Sequence, residues 1–143
     1  MRQVQGSLFE ESTQLAGVMP AIKAAMRAVA GDPEGAGRKA LPDKLNAIAR
    51  ASGIKLTGGN ARAISEDTLH KWLSPSDESH PPSINAVLAF YLATGSDAPL
   101  RAMLQSVGLD VMTKKDKKLR DLGEIEKQAK DLRKRRRMLE DDL

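Results

Sequence analysis

The sequence predicts an all-α fold of about five short helices followed by a coiled-coil-like C-terminal helix. Among the 143 residues the only aromatic rings are Phe9, Trp72, Phe90 and Tyr91, while Ala and Leu are abundant and β-branched runs scarce, a balance that favours helix over sheet. Apolar residues recur at intervals of three and four, the helical period. Clusters of Gly, Pro and Ser cut the chain into segments of helical length. The length suits one domain with a modest core plus an appendage, with expected boundaries at 1–17 (an N-terminal arm), 18–112 (the domain) and 113–143 (a basic C-terminal helix).

The arm is polar and lacks strong periodicity, although Leu8, Phe9 and Leu15 are placed to pack onto the domain. The first helix is expected from Val18 to about Ala30, with Val18, Ile22, Met26 and Val29 on one face and Pro20 in its first turn. GDPEGAG then reads as a loop. A second helix begins near Leu41, carries Leu41, Leu45, Ile48 and Ala49 on one face and stops at Gly53. The next ten residues, KLTGGNARAI, are either a loop or a short two-stranded excursion. Ser65 looks like the N-cap of a third helix, whose early Glu66 and Asp67 suit the positive end of its dipole and whose Leu69, Trp72 and Leu73 face the core. Ser83 caps a fourth helix with an expected buried face of Ile84, Val87, Leu88, Tyr91 and Leu92 and a stop at Gly95. A fifth carries Leu100, Met103, Leu104 and Val107 and closes at Gly108.

Beyond it the spacing alternates three and four. Leu122, Ala129, Arg136 and Leu143 fall on one heptad position and Ile125, Leu132 and Leu139 on the other, about three heptads of coiled-coil pattern interrupted by Gly123 and Arg136. Leu122, Ile125, Ala129, Leu132 and Leu139 are therefore the expected oligomerisation seam, which pairs with a second copy or packs back on the domain.

Charge is unevenly placed. From Thr113 to Leu143 there are 12 Lys and Arg against 8 Asp and Glu, whereas Met1 to Met112 balances at 11 against 11. Within that neutral part Arg38 to Lys71 holds 7 basic residues against 3 acidic ones, a stripe compatible with a phosphate-facing surface. There is no Cys, which removes disulfides, thiolate metal sites and cysteine nucleophiles. His70 and His80 are the only histidines and sit ten apart without a nearby carboxylate pair at ligand spacing, so no metal is expected, and no cofactor. Gly35-Ala-Gly37-Arg-Lys-Ala40 fits the letter of a dinucleotide fingerprint but follows an amphipathic helix rather than a strand. With no Walker motif and no nucleophile–base arrangement, an enzyme is not expected. No apolar stretch approaches the roughly 18 residues of a membrane span, and the N-terminal residues lack the apolar core of a signal peptide. A cytoplasmic protein is expected.

AIARASGI followed by ISEDTLHKWL meets the needs of a compact helix-turn-helix bundle. Small Ala47, Ala49 and Ala51 line a bracing helix, Gly53 permits its exit, and Leu69, Trp72 and Leu73 anchor a reading helix. Trp72 reads as a core anchor rather than a base-stacking platform. Together with INAVLAFYLATGSDAPLRAMLQSVG, these segments resemble phage transcription regulators of the lambda-repressor-like helix-turn-helix class, notably the CII-type group, over roughly residues 41–109. The resemblance implies a domain that binds double-stranded operator DNA as a dimer or higher oligomer. It also implies recognition positions on the third helix, which starts at Ser65: Glu66, Asp67, His70, Lys71 and Ser74. Acidic side chains there accept from cytosine N4, while His70 and Lys71 reach guanine edges or phosphate. One departure stands out, because the family's turn is short and Lys55 to Ile64 is inserted here. The insertion either splays the two helices or adds a contact loop bearing Lys55, Asn60 and Arg62. In the tail, Arg133, Lys134, Arg135, Arg136 and Arg137 are candidate phosphate contacts, set against a plain solvated face partly neutralised by Glu140, Asp141 and Asp142. The alternative function is a helical adaptor that binds a protein partner through the helix-turn-helix surface or the C-terminal helix.

Overall fold

The computed structural model describes the backbone from Arg2 to Leu143 and the side chains from Leu15 onward, so the expected packing of Leu8 and Phe9 lies outside the described residues. Six helices run in order: α1 (Arg2–Ala30), α2 (Ala36–Ser52), α3 (Glu66–Leu73), α4 (Ile84–Thr94), α5 (Ala98–Gln105) and α6 (Lys114–Asp141). No strand occurs among the described residues, and the fold is all-α. The chain divides into two units, Met1–Asp110 and Val111–Leu143.

In the first unit α1 packs mainly on α5 and also on α3, and α2 packs on α4. Their shared core takes Ile22 and Met26 from α1, Leu41, Leu45 and Ala49 from α2, Leu69, Trp72 and Leu73 from α3, and Ala86, Val87, Ala89 and Phe90 from α4. Leu15, at the start of the described side chains, is exposed.

Two helices start earlier than periodicity indicates. α1 begins at Arg2 rather than Val18, which moves Pro20 from an expected first turn to the helix interior. The added turns include Gly6 and Gly17, which weaken a helix without ending it, and they carry no amphipathic spacing to signal them. α2 begins at Ala36, so the loop is shorter than GDPEGAG and Pro42 is likewise interior and buried. Each proline deprives the carbonyl four residues back of its helical donor; behind Pro20 that residue is the exposed Ala16.

The helix ends follow the chemistry of their caps. Gly53 adopts a left-handed conformation at φ 66°, and Ile54 N–H donates to Ala49 O at 3.0 Å, closing α2. Ser65 accepts from Thr68 N–H at 3.2 Å and Ser83 from Ala86 N–H at 3.1 Å, as N-caps of α3 and α4.

One expected face is wrong. α4 buries Ala86, Val87, Ala89 and Phe90, while Ile84 (75% exposed), Leu88, Tyr91 and Leu92 (65%) point outward. INAVLAFYLAT has no charged residue, so its residue types do not orient it, and Phe90 rather than the leucines fills the core. Only Val87 of the expected set is buried.

The second unit is one long helix. Thr113 opens it with a reciprocal capping box, its hydroxyl accepting from Asp116 N–H and the Asp116 carboxylate from Thr113 N–H, both at 3.1 Å. None of its residues is buried.

Candidate functional site

The structure builds the candidate site around α3, a helix of eight residues fastened along one side and at both ends. Leu69, Trp72 and Leu73 sink into the core. The start of α3 is clamped to α2 by Asn46, whose amide donates to Ile64 O at 2.9 Å and whose carbonyl oxygen accepts from Ile64 N–H at 2.8 Å. At the other end two cations of α1 meet the terminal carbonyls. Lys23 Nζ donates to Lys71 O, Ser74 O and Asp77 O, and the Arg27 guanidinium donates to Leu73 O at 2.8 Å. Lys71 O and Leu73 O are among the carbonyls a helix leaves unpaired and partly negative, so cations suit them, and Lys23 reaches on to Ser74 O and Asp77 O past the helix end.

The inserted segment is a loop, and it does not splay the helices: α3 remains packed on α2. Leu56 and Ile64 are buried at its two ends. The Ser83 hydroxyl donates to Leu56 O at 2.8 Å and the Asn85 amide to Lys55 O at 3.3 Å, so the cap of α4 ties down the loop's first residues. Between these anchors Gly58 to Ala63 is exposed, and it carries Asn60 and Arg62; Lys55 is exposed beside the tether.

The outward face of α3 holds Glu66, Asp67 and His70, all exposed. Lys71 is half-buried and paired with Asp67 at 3.4 Å, one turn earlier. His70 Nδ1 lies 3.4 Å from the Arg38 guanidinium, which brings α2 into the site. Glu34, Arg38, Lys39, Glu66, Asp67 and His70 line a shallow cleft of about 300 Å³, with Lys39 paired to Glu34 at 3.4 Å. The surface is thus a patchwork of both charges. Two positions on the third helix are occupied by local structure: the Ser65 hydroxyl is committed to the cap, and Ser74, half-buried at the end of α3, shares its hydroxyl with Ser76 at 3.0 Å.

Arg38, Lys23 and Arg27 are contributors that sequence reasoning did not single out. Arg38 is 32 residues from His70, and Lys23 is 48 residues or more from the carbonyls it serves. No local pattern links such pairs.

After α3 the chain turns around Asp77. Its carboxylate accepts from Ser79 N–H at 2.9 Å and His80 N–H at 3.0 Å and lies 3.2 Å from His80 Nδ1. Desolvation pushes the Asp77 carboxyl up, but the hydrogen bonds from His80 and Ser79 and the charge of His80 outweigh it and hold the group below its ordinary value. A depressed carboxyl stabilises the fold at pH above its unfolded-state value and loses that contribution as pH falls through its folded-state value. Melting temperatures of the protein and of Asp77→Asn are therefore expected to differ at neutral pH and to converge in acid. A constant difference down to the most acidic readings would show that the carboxylate charge is irrelevant to the turn.

In the second unit Arg133, Lys134, Arg135, Arg136 and Arg137 are all exposed, and Arg136 Nε pairs with Glu140 at 3.0 Å. No group of three His, Asp or Glu able to hold a metal occurs among the described residues, and none of their helices is long and apolar enough to cross a membrane. No protein-family model, no curated protein and no solved structure matches the chain.

Proposed function

We propose that this chain is a sequence-specific transcriptional regulator, of phage or prophage type, that binds double-stranded operator DNA as a dimer. The observation that carries the reading is α3 itself: a short helix immobilised on three sides whose remaining face presents Glu66, Asp67 and His70 to solvent beside Arg38. At 1.5 Å per residue it is about 12 Å long, a length that a major groove of similar width accepts. Groove reading rewards side chains held in place, because a mobile reader loses its ordering entropy on every base contact. In this reading His70 and Lys71 donate to guanine edges or phosphate, Glu66 and Asp67 accept from cytosine N4, and Lys55, Asn60 and Arg62 reach the adjoining backbone from the tethered loop. The basic run Arg133–Arg137 adds phosphate contacts that carry affinity without sequence information.

Selection of bound sequences from a random duplex pool, on the full chain and on a chain ending at Met112, tests the reading. Recovery of one short motif by both supports it, and absence of preference at moderate salt ends it. Reversing Lys55 and Arg62 to Glu is expected to weaken duplex binding at least tenfold. It is also expected to flatten the slope of log affinity against log salt by about one for each phosphate no longer neutralised. The exposed acids Glu66 and Asp67 at the start of α3 favour the second reading, an adaptor for a protein partner, since both repel phosphate. Unchanged duplex affinity in the charge-reversed protein would favour that adaptor.

A further inference from the structure

The seam of α6 is exposed along its length: Leu122, Ile125, Leu132 and Leu139 each show more than half of their surface. A shallow groove of about 470 Å³ runs past Leu132, Arg136, Leu139 and Leu143. What covers such a stripe is indicated by its own order, Leu122, Ile125, Ala129, Leu132, Arg136, Leu139. We infer that α6 pairs with α6 of a second copy in antiparallel orientation, with Leu122 level with the partner's Leu139.

In that register the seam matches itself about its midpoint. Leu122 faces the partner's Leu139, Ile125 the partner's Arg136, and Ala129 the partner's Leu132, each twice by symmetry. The small Ala129 receives a large side chain, as close packing requires. A parallel pair instead stacks Ala129 on Ala129 and leaves a gap, and it sets Arg136 against Arg136 in one layer. Antiparallel pairing keeps the two arginines in separate layers, each over an isoleucine, where the aliphatic stem packs and the guanidinium reaches outward to Glu140 of its own helix, its partner already at 3.0 Å.

The flanks agree. Antiparallel alignment brings Glu126 beside the partner's Arg133, twice, and Arg135 beside the partner's Gln128. Parallel alignment sets Asp121 against the partner's Glu126, twice, relieved by Arg135 near the partner's Glu140. The like-charge pair in the antiparallel form, Asp121 with the partner's Asp142, falls at the ends, where solvent screens it. A shift of one heptad toward the C-terminus is worse, because it faces Arg133 with itself and Glu126 with the partner's Glu140. The Thr113 caps of the two helices then lie at opposite ends of the pair, about 50 Å apart at 1.5 Å per residue.

The pairing deepens the dimer of the preceding reading, but its test contains no DNA, so either can fail alone. The chain has no cysteine, which allows an unambiguous cross-link. Leu122→Cys and Leu139→Cys full-length proteins, one carrying a size tag, are mixed, allowed to exchange and oxidised in a glutathione buffer. A disulfide-linked heterodimer in the mixture, with little linked homodimer from either protein alone, is the expected result. Efficient homodimer cross-linking by each protein alone would establish parallel pairing and overturn the inference, as would a monomer in sedimentation with no cross-link in any sample. As a check free of cysteine, Glu126→Arg is expected to weaken self-association about tenfold, the scale of two reversed surface ion pairs, and Glu126→Arg with Arg133→Glu to restore it. Failure of the double variant to restore association counts against the register.

Discussion

Replacing Phe90 by Ala is expected to cost the first unit about 3–5 kcal/mol, the range for truncating a fully buried phenylalanine. Phe90 is 0% exposed and shares a core with Met26 and Leu45, which are also fully buried, so surrounding side chains have little freedom to refill the space. Small domains are stable by about 5–15 kcal/mol, and such a loss consumes a large part of that. The protein carries its own reporter. Trp72 is the only tryptophan and is 2% exposed, so urea unfolding is followed by the red shift of its emission. Leu92→Ala on the opposite side of α4 serves as the control and is expected to change stability by less than about 0.5 kcal/mol, as exposed substitutions do. Equal losses from Phe90→Ala and Leu92→Ala would reverse the orientation assigned to α4.

That control also marks where sequence reading fails. The alternation of apolar residues was enough to locate α3, its Ser65 cap and its buried Leu69, Trp72 and Leu73, because Glu66, Asp67, His70 and Lys71 define an opposing polar side. α4 has no such contrast, and four apolar residues chosen as core face solvent while Ala86, Ala89 and Phe90 fill the interior. Gly53 and Gly95 were legible as helix stops because the left-handed conformation they adopt is one that other residues resist. Pro20 and Pro42 misled in the opposite direction: a proline reads as a first-turn residue, yet α1 and α2 each continue through one, and nothing in the neighbouring residues signals that. The candidate site divides in the same way. The α3 positions follow from sequence, whereas the Asn46–Ile64 clamp, the Ser83 tether and the approach of Arg38 to His70 span 18, 27 and 32 residues.

A longer connection than any of these, from Lys23 to the end of α3, has the largest consequence for the site. Lys23 is 4% exposed, and its Nζ serves three carbonyls at and beyond the end of α3, those of Lys71, Ser74 and Asp77. Methionine at this position keeps the length and apolar stem but supplies no donor and no charge. Three part-buried carbonyls are then left without their charged partner, and an unsatisfied buried polar group costs about 1–3 kcal/mol. Arg27 still holds Leu73 O, which limits the damage. Lys23→Met is therefore expected to lower stability by about 2–3 kcal/mol in urea unfolding. It is also expected to speed hydrogen exchange at the Ser74 amide, which donates to His70 O at 2.9 Å in the last turn of α3. Lys44→Met, which removes the same charge from an exposed position of α2, is expected to do neither. Should the two variants behave alike, overall charge rather than a capped helix end would be what Lys23 provides. Should only Lys23→Met loosen the last turn, His70 and Lys71 would be shown to owe their placement on α3 to a side chain contributed by α1.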